Sequence, residues 1–203
     1  MGNDRLQKPF FPVFLDLSEK CVIVAGGGSI AERRIRTLRG FVGRIRIIAP
    51  EIRGGIRELL SPDGPAGFSE GGTAVITWAA KRYDRRDLQD ADLVLACTDD
   101  PERNREIYRD CRDLGIPVND CSDKRNCDFY FPGIVQKDGI VIGINGSGAD
   151  HHRVKAVRQE IEKALGCRHS LYPDHPGTAD GRTNYEGMAE RRDEEAKSYH
   201  REP

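Results

Sequence analysis

The sequence predicts an α/β fold, a parallel sheet with helices on both faces, and three observations predict it. Short apolar runs alternate with amphipathic helical stretches from Cys21 to Asn119, the pattern produced by parallel strands joined through right-handed crossovers. A glycine-rich turn directly follows the first of those runs. Beyond Asn119 the alternation stops, and two apolar runs flank the polar turn Gln136-Lys137-Asp138-Gly139, which reads as a β-hairpin.

Cys21 to Ala25 is a continuous β-branched and apolar run, suited to a strand buried on both faces. Ile30, Ala31, Ile35 and Leu38 then fall on one face of a helix. After the Gly40–Gly43 turn, Arg44 to Ala49 reads as a second strand. A helix over roughly Glu51 to Leu60 has Ile52, Ile56, Leu59 and Leu60 on its apolar side, and Ser61-Pro62-Asp63-Gly64-Pro65 stops it. Ala74 to Trp78 is a third strand and Leu93 to Cys97 a fourth, with a polar turn from Asp84 to Leu88 between them. Thr98-Asp99-Asp100-Pro101 opens the next helix, where Pro101 suits the first turn. Ile107, Cys111 and Leu114 form its inner face, and Gly115 ends it. Ile116 to Asn119 is a short fifth strand. The hairpin runs are Phe129–Val135 and Ile140–Ile144. A helix from about Asp150 to Leu165 follows, with Val154, Val157, Ile161, Ala164 and Leu165 inward. Past Gly166 almost nothing is apolar, and the tail reads as disordered or loosely helical. Three regions result: 1–120, a nucleotide-binding domain of Rossmann type; 121–165, a hairpin–helix region; and 166–203, a polar tail.

The turn after the first strand carries the chemistry. Gly26, Gly28 and Ala31 stand at the G-x-G-x-x-G/A spacing of a dinucleotide-binding fingerprint. Gly26 permits the tight turn, Gly28 lets a pyrophosphate approach the backbone, and Ala31 lets the helix pack close to the strand. The helix N-terminus offers unpaired N–H groups and a partial positive charge to the phosphates. Glycines can merely end a strand, but here a strand precedes and a helix follows, as the motif requires. An acidic residue near the end of the second strand would bind the ribose hydroxyls. Glu51 is the candidate, and it equally suits the first turn of a helix; with it the cofactor reads as NAD rather than NADP. In such a sheet, ligands bind beyond the carboxyl ends of the strands, so the candidate cofactor-binding residues are Gly26, Gly28, Ser29, Ile30, Ala49, Pro50, Glu51 and Thr98. The loop Asn119–Asp128 lies at the same edge, with three aspartates and two cations. It reads either as a solvated loop or as the site of a catalytic carboxylate with cations for an anionic substrate.

Composition bounds the rest. The 203 residues make one domain or one with an appendage. At 37% hydrophobic and 32% charged residues the core is modest, and a net charge of −1 gives no global field for nucleic acid or an anionic membrane. No apolar run reaches the roughly 18 residues of a membrane span. Met1 to Leu6 has no signal-peptide core, so a cytoplasmic location is expected. None of the six cysteines forms a Cys-x-x-Cys pair, and no metal site is indicated. Cys21, Cys97 and Cys111 fit as small buried hydrophobes. Cys121 and Cys127 flank the polar loop, where reactivity is open to them.

Several segments in order resemble one family. They are Phe10-Phe11-Pro12-Val13-Phe14-Leu15-Asp16-Leu17, Val24-Ala25-Gly26-Gly27-Gly28, Ala49-Pro50-Glu51, Ala96-Cys97-Thr98-Asp99-Asp100 with Asn104, Gly115-Ile116-Pro117-Val118-Asn119, and Cys127-Asp128-Phe129-Tyr130-Phe131-Pro132-Gly133-Ile134-Val135. Together, over residues 9–165, the chain resembles the precorrin-2 dehydrogenases of sirohaem synthesis, some of which are also ferrochelatases. The resemblance implies NAD-dependent oxidation of precorrin-2 to sirohydrochlorin, a tetrapyrrole substrate, iron(II) as a second substrate in bifunctional members, and a homodimer built through the hairpin and following helix. It also implies a catalytic aspartate after the fifth strand, in an Asn-Val-x-Asp pattern. Here those positions are Asn119, Asp120, Cys121 and Ser122, so the expected carboxylate is a serine. Asp123 is the first catalytic candidate and Asp120 the second. The family's Gly-Gly-x-Ser-Pro turn is replaced by Ser147-Gly148-Ala149-Asp150-His151-His152, where Asp150 can cap the helix.

That region borders the tetrapyrrole in the family. Asn119, Asp150, His151 and Arg153 are therefore the substrate-binding candidates. The two histidines read alternatively as surface residues, and Arg153, Lys155 and Arg158 as the solvated face of an amphipathic helix. Two other functions compete: a nucleotide-sensing module without catalysis, against which the aspartate-rich loop argues, and a stand-alone chelatase, against which the glycine fingerprint argues.

Overall fold

The computed structural model describes residues 9–60, 74–147 and 151–167. A five-stranded parallel sheet in the order β3-β2-β1-β4-β5 forms its centre. The strands are β1 (Leu17–Ala25), β2 (Val42–Ile48), β3 (Val75–Ala79), β4 (Leu93–Ala96) and β5 (Val118–Asp120). Helices α1 (Ser29–Leu38), α2 (Gly54–Leu60) and α3 (Pro101–Leu114) connect them, with a 3-10 turn at Arg85–Leu88 between β3 and β4. A two-stranded antiparallel sheet, β6 (Gly133–Lys137) with β7 (Ile140–Ile144), and helix α4 (His151–Ala164) complete the described chain. The expected α/β class, order of elements and hairpin are all present.

Alternation along the strands divides the core in two. Val22 and Val24 of β1 join Ile45, Ile47, Leu93 and Leu95 beneath α1 and α2, which contribute Ala31, Ile35, Leu38, Ile56 and Leu59. Cys21, Ile23 and Ala25 point the other way and meet Val94, Ala96 and Val118 under Ile107 and Cys111 of α3. Each fully buried aliphatic side chain of this kind contributes about 1.5–3 kcal/mol, so the two clusters define which face each helix covers. Helix α3 is closed at both ends. The Asp100 carboxylate accepts from the N–H groups of Glu102 and Arg103, Pro101 sits in the first turn, and Gly115 ends it at φ 70°.

Boundaries move where tertiary contacts override local pattern. Helix α2 begins at Gly54, not Glu51, because residues 50–53 lie against the glycine turn. The N–H of Arg53 donates to the Gly27 carbonyl at 3.0 Å. Strand β1 extends back to Leu17, with a register shift between Leu17 and Cys21. Phe129–Pro132 does not join the hairpin; Phe129 and Phe131 pack on the α1–α2 core cluster instead. The hairpin turns through Asp138 and Gly139, both at positive φ (50° and 77°), as a two-residue turn of this hand demands.

Helix α4 departs most from expectation. Val154 and Ile161 are half-buried, but Val157, Ala164 and Leu165 are exposed, and the buried residue is Arg158, paired with Glu162. A two-stranded hairpin offers too little surface to cover a full apolar stripe. The Ser61–Pro65 stop, Asp150, the side chain of His151 and the tail beyond Cys167 lie outside the described residues.

Gly26 is at φ 127°, and a Cβ there would stand 2.3 Å from the Cys97 carbonyl oxygen. Gly26→Ala is therefore expected to lose about 1–3 kcal/mol from the backbone conformation, with the clash added. A chemical-denaturation midpoint equal to that of the unsubstituted chain would contradict this.

Candidate functional site

The carboxyl ends of β1 and β4, adjacent in the sheet, open the crevice at which strand order reverses, where such sheets bind ligands. Three glycines follow β1 and each meets a different constraint. Gly26 abuts the Cys97 carbonyl. Gly27 abuts the Glu51 carbonyl, which would lie 2.0 Å from a Cβ. Gly28 has nothing within 4 Å of where its Cβ would be. The first two are glycine because protein backbone fills the space. At Gly28 the space is open, as a pyrophosphate seat requires. Gly28 is also the N-cap of α1, and no side chain caps that helix, whereas Asp100 caps α3. The first-turn N–H groups of α1, including those of Ser29 and Ile30, thus face the crevice without a side-chain acceptor. These features fit a bound dinucleotide.

The second wall follows β2. The N–H of Ala49 donates to the Ala79 carbonyl at 3.3 Å, and its own carbonyl accepts from the Trp78 indole at 2.9 Å. Pro50 and Glu51 are exposed beyond it. Arg53, nearby, leans on Glu32 at 3.6 Å.

The third wall is a hydrogen-bonded junction between the loops after β4 and β5. Asn104, 1% exposed, accepts from the Thr98 N–H at 3.0 Å, and its amide donates to the Thr98 carbonyl and to Ser122 Oγ, both at 3.2 Å. One buried amide thereby ties the cofactor-side loop to the aspartate-rich loop. The sequence places Asn104 within the family-like segment, but its bridging role depends on which loops lie on either side of α3.

The three aspartates of that loop occupy different environments. Asp120, 2% exposed, accepts from the Ser122 N–H at 2.8 Å, Ser122 Oγ at 2.6 Å, the Asp123 N–H at 3.2 Å and Asn126 Nδ2 at 3.0 Å. Asp128 accepts from the Val118 N–H at 3.1 Å and from Arg112 at 2.9 Å. Asp123 caps the 3-10 turn Lys124–Asn126 through the Arg125 N–H at 3.0 Å and pairs with the Arg125 guanidinium at 2.7 Å. Its side chain retains 20% exposure. Asn119 is buried and donates to the Phe129 carbonyl at 2.8 Å. Gly26–Ile30, Ala49–Glu51, Thr98 and Asn119–Asp123 therefore share one edge of the sheet. Arg153 belongs instead to α4, which packs on β6, and it is exposed there.

Cys97 and Cys121 directly follow β4 and β5, both buried, with their sulfurs 3.1 Å apart. Cys97 matches the buried role expected of it. Burial pushes the Cys111 and Cys127 thiols up to about 12. A cavity of about 200 Å³ lies at the opposite, amino-terminal ends of β1, β2 and β3, lined by Cys21, Arg44, Arg46, Val75, Thr77 and Asp90. No group of three or more metal-ligating side chains occurs among the described residues, and no described helix is long and apolar enough to cross a membrane.

A family model described as "Putative NAD(P)-binding" matches residues 13–133. The "Probable multifunctional siroheme biosynthesis protein HemA" of Ruminiclostridium josui is 37% identical over 164 residues, 80% of this chain and 30% of that protein. A "Siroheme synthase" of Psychrobacter sp. (strain PRwf-1) is 34% identical over 155 residues, 76% of this chain and 30% of that protein. The chain thus spans about 30% of the length of these curated relatives. Among solved structures, "SirC, precorrin-2 dehydrogenase" superposes with a TM-score of 0.59 at 21% identity, covering 76% of this chain and 71% of that one, which shows a shared fold.

A branched side chain at Gly28 would occupy the open seat without touching the protein. Gly28→Val is therefore expected to keep the denaturation midpoint and lose calorimetrically measured dinucleotide binding. Unchanged affinity in the folded variant would rule out this seat.

Proposed function

We propose that this chain, which belongs to the family described as putative NAD(P)-binding and is similar to sirohaem-synthesis proteins, oxidises precorrin-2 to sirohydrochlorin with NAD. The observation that carries the reading is the uncapped N-terminus of α1 beside the open face of Gly28, taken with the kinship to sirohaem-forming proteins. The N–H groups of Ser29 and Ile30 hold the pyrophosphate. Ala49 and Pro50 wall the adenosine side, and the exposed Glu51 carboxylate accepts the ribose hydroxyls, which selects NAD over its 2′-phosphorylated form. Thr98, fixed by Asn104, borders the crevice opposite Ser29. When bound, NAD supplies the two-electron hydride acceptor; the remaining work belongs to the protein.

Oxidation removes a proton as well as a hydride from the macrocycle. Asp123 is the carboxylate that takes it. Both carboxylates accept hydrogen bonds within the loop, Asp123 from Arg125, but Asp123 keeps 20% of its side chain exposed at the crevice edge, where substrate can reach it, whereas Asp120 is 2% exposed. Asp120 holds the loop in shape, and Asn119 positions Phe129. Arg153 of α4 meets a carboxylate of the tetrapyrrole, and Asp150 and His151, which precede it in sequence, remain the other substrate-binding candidates. Arg158, paired with Glu162, stays in the hairpin–helix packing. In a bifunctional protein, iron(II) would enter afterwards as a substrate of the same loop.

The assembly we propose is a homodimer through the region 121–165 and the N-terminal segment. Phe11 (85% exposed), Phe14 (72%) and Ile140 (64%) leave large apolar side chains uncovered, the kind of surface that marks an interaction site where it is contiguous. The exposed stripe of α4 adds to it. A second copy, presenting the same faces, covers both.

Two measurements test the reading. Asparagine can still cap a turn, so Asp123→Asn should keep the fold and NAD affinity while slowing anaerobic sirohydrochlorin formation about 10²–10⁴-fold. Wild-type turnover in this variant, or a larger loss in a folded Asp120→Asn variant, would overturn the assignment. Analytical ultracentrifugation should give twice the 22.7 kDa chain mass at micromolar concentration, and a monomer there would refute the dimer.

A further inference from the structure

Strands β4 and β5 are paired with Ala96 opposite Asp120, and the next residue on each is a cysteine. The backbone still holds both. The Cys97 N–H donates to the Ala25 carbonyl at 2.7 Å, and the Cys121 N–H to the Ala96 carbonyl at 2.9 Å. Their side chains enter the same core cluster, under α1. The sulfurs meet at 3.1 Å with no disulfide between them.

The surroundings make the two sulfurs unequal. Arg34 of α1 stacks its guanidinium over the Phe131 ring, 4.0 Å from the centroid, with its Nε buried and lacking a hydrogen-bond partner. Its charge acts on Cys121. The hydrogen bond from Cys97 draws the Cys121 thiol below its ordinary range, and Arg34 adds to that against the effect of burial. Contact with Cys121, and then burial, keep the Cys97 thiol well above that range. Arg34 acts by its charge on both thiols but reaches Cys121 by a hydrogen bond as well, so Cys121 is the better placed to attack and Cys97 to resolve.

We propose that Cys97 and Cys121 form a reversible oxidation site that hydroperoxides convert into an intramolecular disulfide. The Cys121 sulfur attacks one peroxide oxygen; the O–O bond breaks, and the departing hydroxide is protonated to water, leaving a sulfenic acid. The Cys97 sulfur then attacks the Cys121 sulfur. The S–S bond forms, the S–O bond breaks, and the hydroxyl leaves as water with the Cys97 proton. Two thiols and one hydrogen peroxide give one disulfide and two waters; each sulfur loses one electron, and the peroxide gains two. A dithiol reductant reverses the change by exchange. Closing from 3.1 Å to about 2.05 Å needs side-chain rotation, since the register already places the two residues side by side. At 6% and 4% exposure both sulfurs are buried, so the oxidant of the proposal is a small hydroperoxide and not a bulky reagent. The bond would form behind the dinucleotide turn, because the Cys97 carbonyl is the atom against which Gly26 packs.

The test uses the reduced full chain treated with hydrogen peroxide, then unfolded, alkylated and mapped without reductant. The expected product has lost the mass of two hydrogens, links the peptides bearing Cys97 and Cys121, and reverts with dithiothreitol. In Cys97→Ala, dimedone should trap a sulfenic acid on Cys121; in Cys121→Ala, Cys97 should gain no more dimedone than Cys111. Full alkylation of both cysteines in the oxidised wild-type chain, a disulfide between other cysteines in its place, or dimedone on Cys97 in preference to Cys121 would overturn the proposal. These readouts are on the protein itself, so their failure leaves the dehydrogenase reading intact.

Discussion

Backbone pressed against backbone at the glycine turn governs the rest of the molecule. Gly26 lies on the end of β4 and Gly27 on the segment that leaves β2, each so close that a side-chain carbon would fall within 2.3 Å of a carbonyl oxygen. Those two contacts set the direction in which α1 departs from β1. They hold residues 50–53 out of α2, and they bring the walls of the crevice to a common edge. Gly28 inherits the consequence. With its neighbours anchored on both sides, it presents an open face and an uncapped helix end to whatever lies in the crevice. A positive electrostatic end without a protein acceptor favours an anion, and a pyrophosphate suits it.

The loop after β5 is organised by a complementary rule. Its charges are numerous, but most serve the loop's own geometry. Asp120 gathers four donors, Asp128 closes the loop onto β5 and α3, and Asn104 binds the whole to Thr98. The loops after β4 and β5 are therefore tied together through one buried amide. Such coupling suits a reaction in which the reacting atoms must be held within a fraction of an ångström.

The central sheet was legible because its signals are local and redundant. Cys21–Ala25 could only be a buried strand, and the spacing of Gly26, Gly28 and Ala31 needs no partner to be read. The opening of α3 by Thr98-Asp99-Asp100-Pro101 and its stop at Gly115 were equally plain. What escaped depended on neighbours distant in sequence. The start of α2 is set by Gly27, not by the pattern of Ile52 and Ile56. Phe129 and Phe131 read as strand residues by composition, yet they pack on a core cluster with members from β1, β2, β4, α1 and α2. The inward face assigned to α4 assumed a surface to lie on, and one hairpin does not supply it. The opposed sulfurs of Cys97 and Cys121 are 24 positions apart in sequence, and only the pairing of β4 with β5 reveals them.

The most direct measurement of the central claim is residue-resolved. Amide chemical shifts followed by NMR during titration with ADP-ribose, which carries the pyrophosphate without the nicotinamide, report where the phosphates sit. The account predicts the largest changes at Gly28, Ser29, Ile30 and Ala31, with smaller ones at Glu51 and Thr98. Changes centred on the capped start of α3, or on the cavity between Arg44 and Arg46, would contradict it.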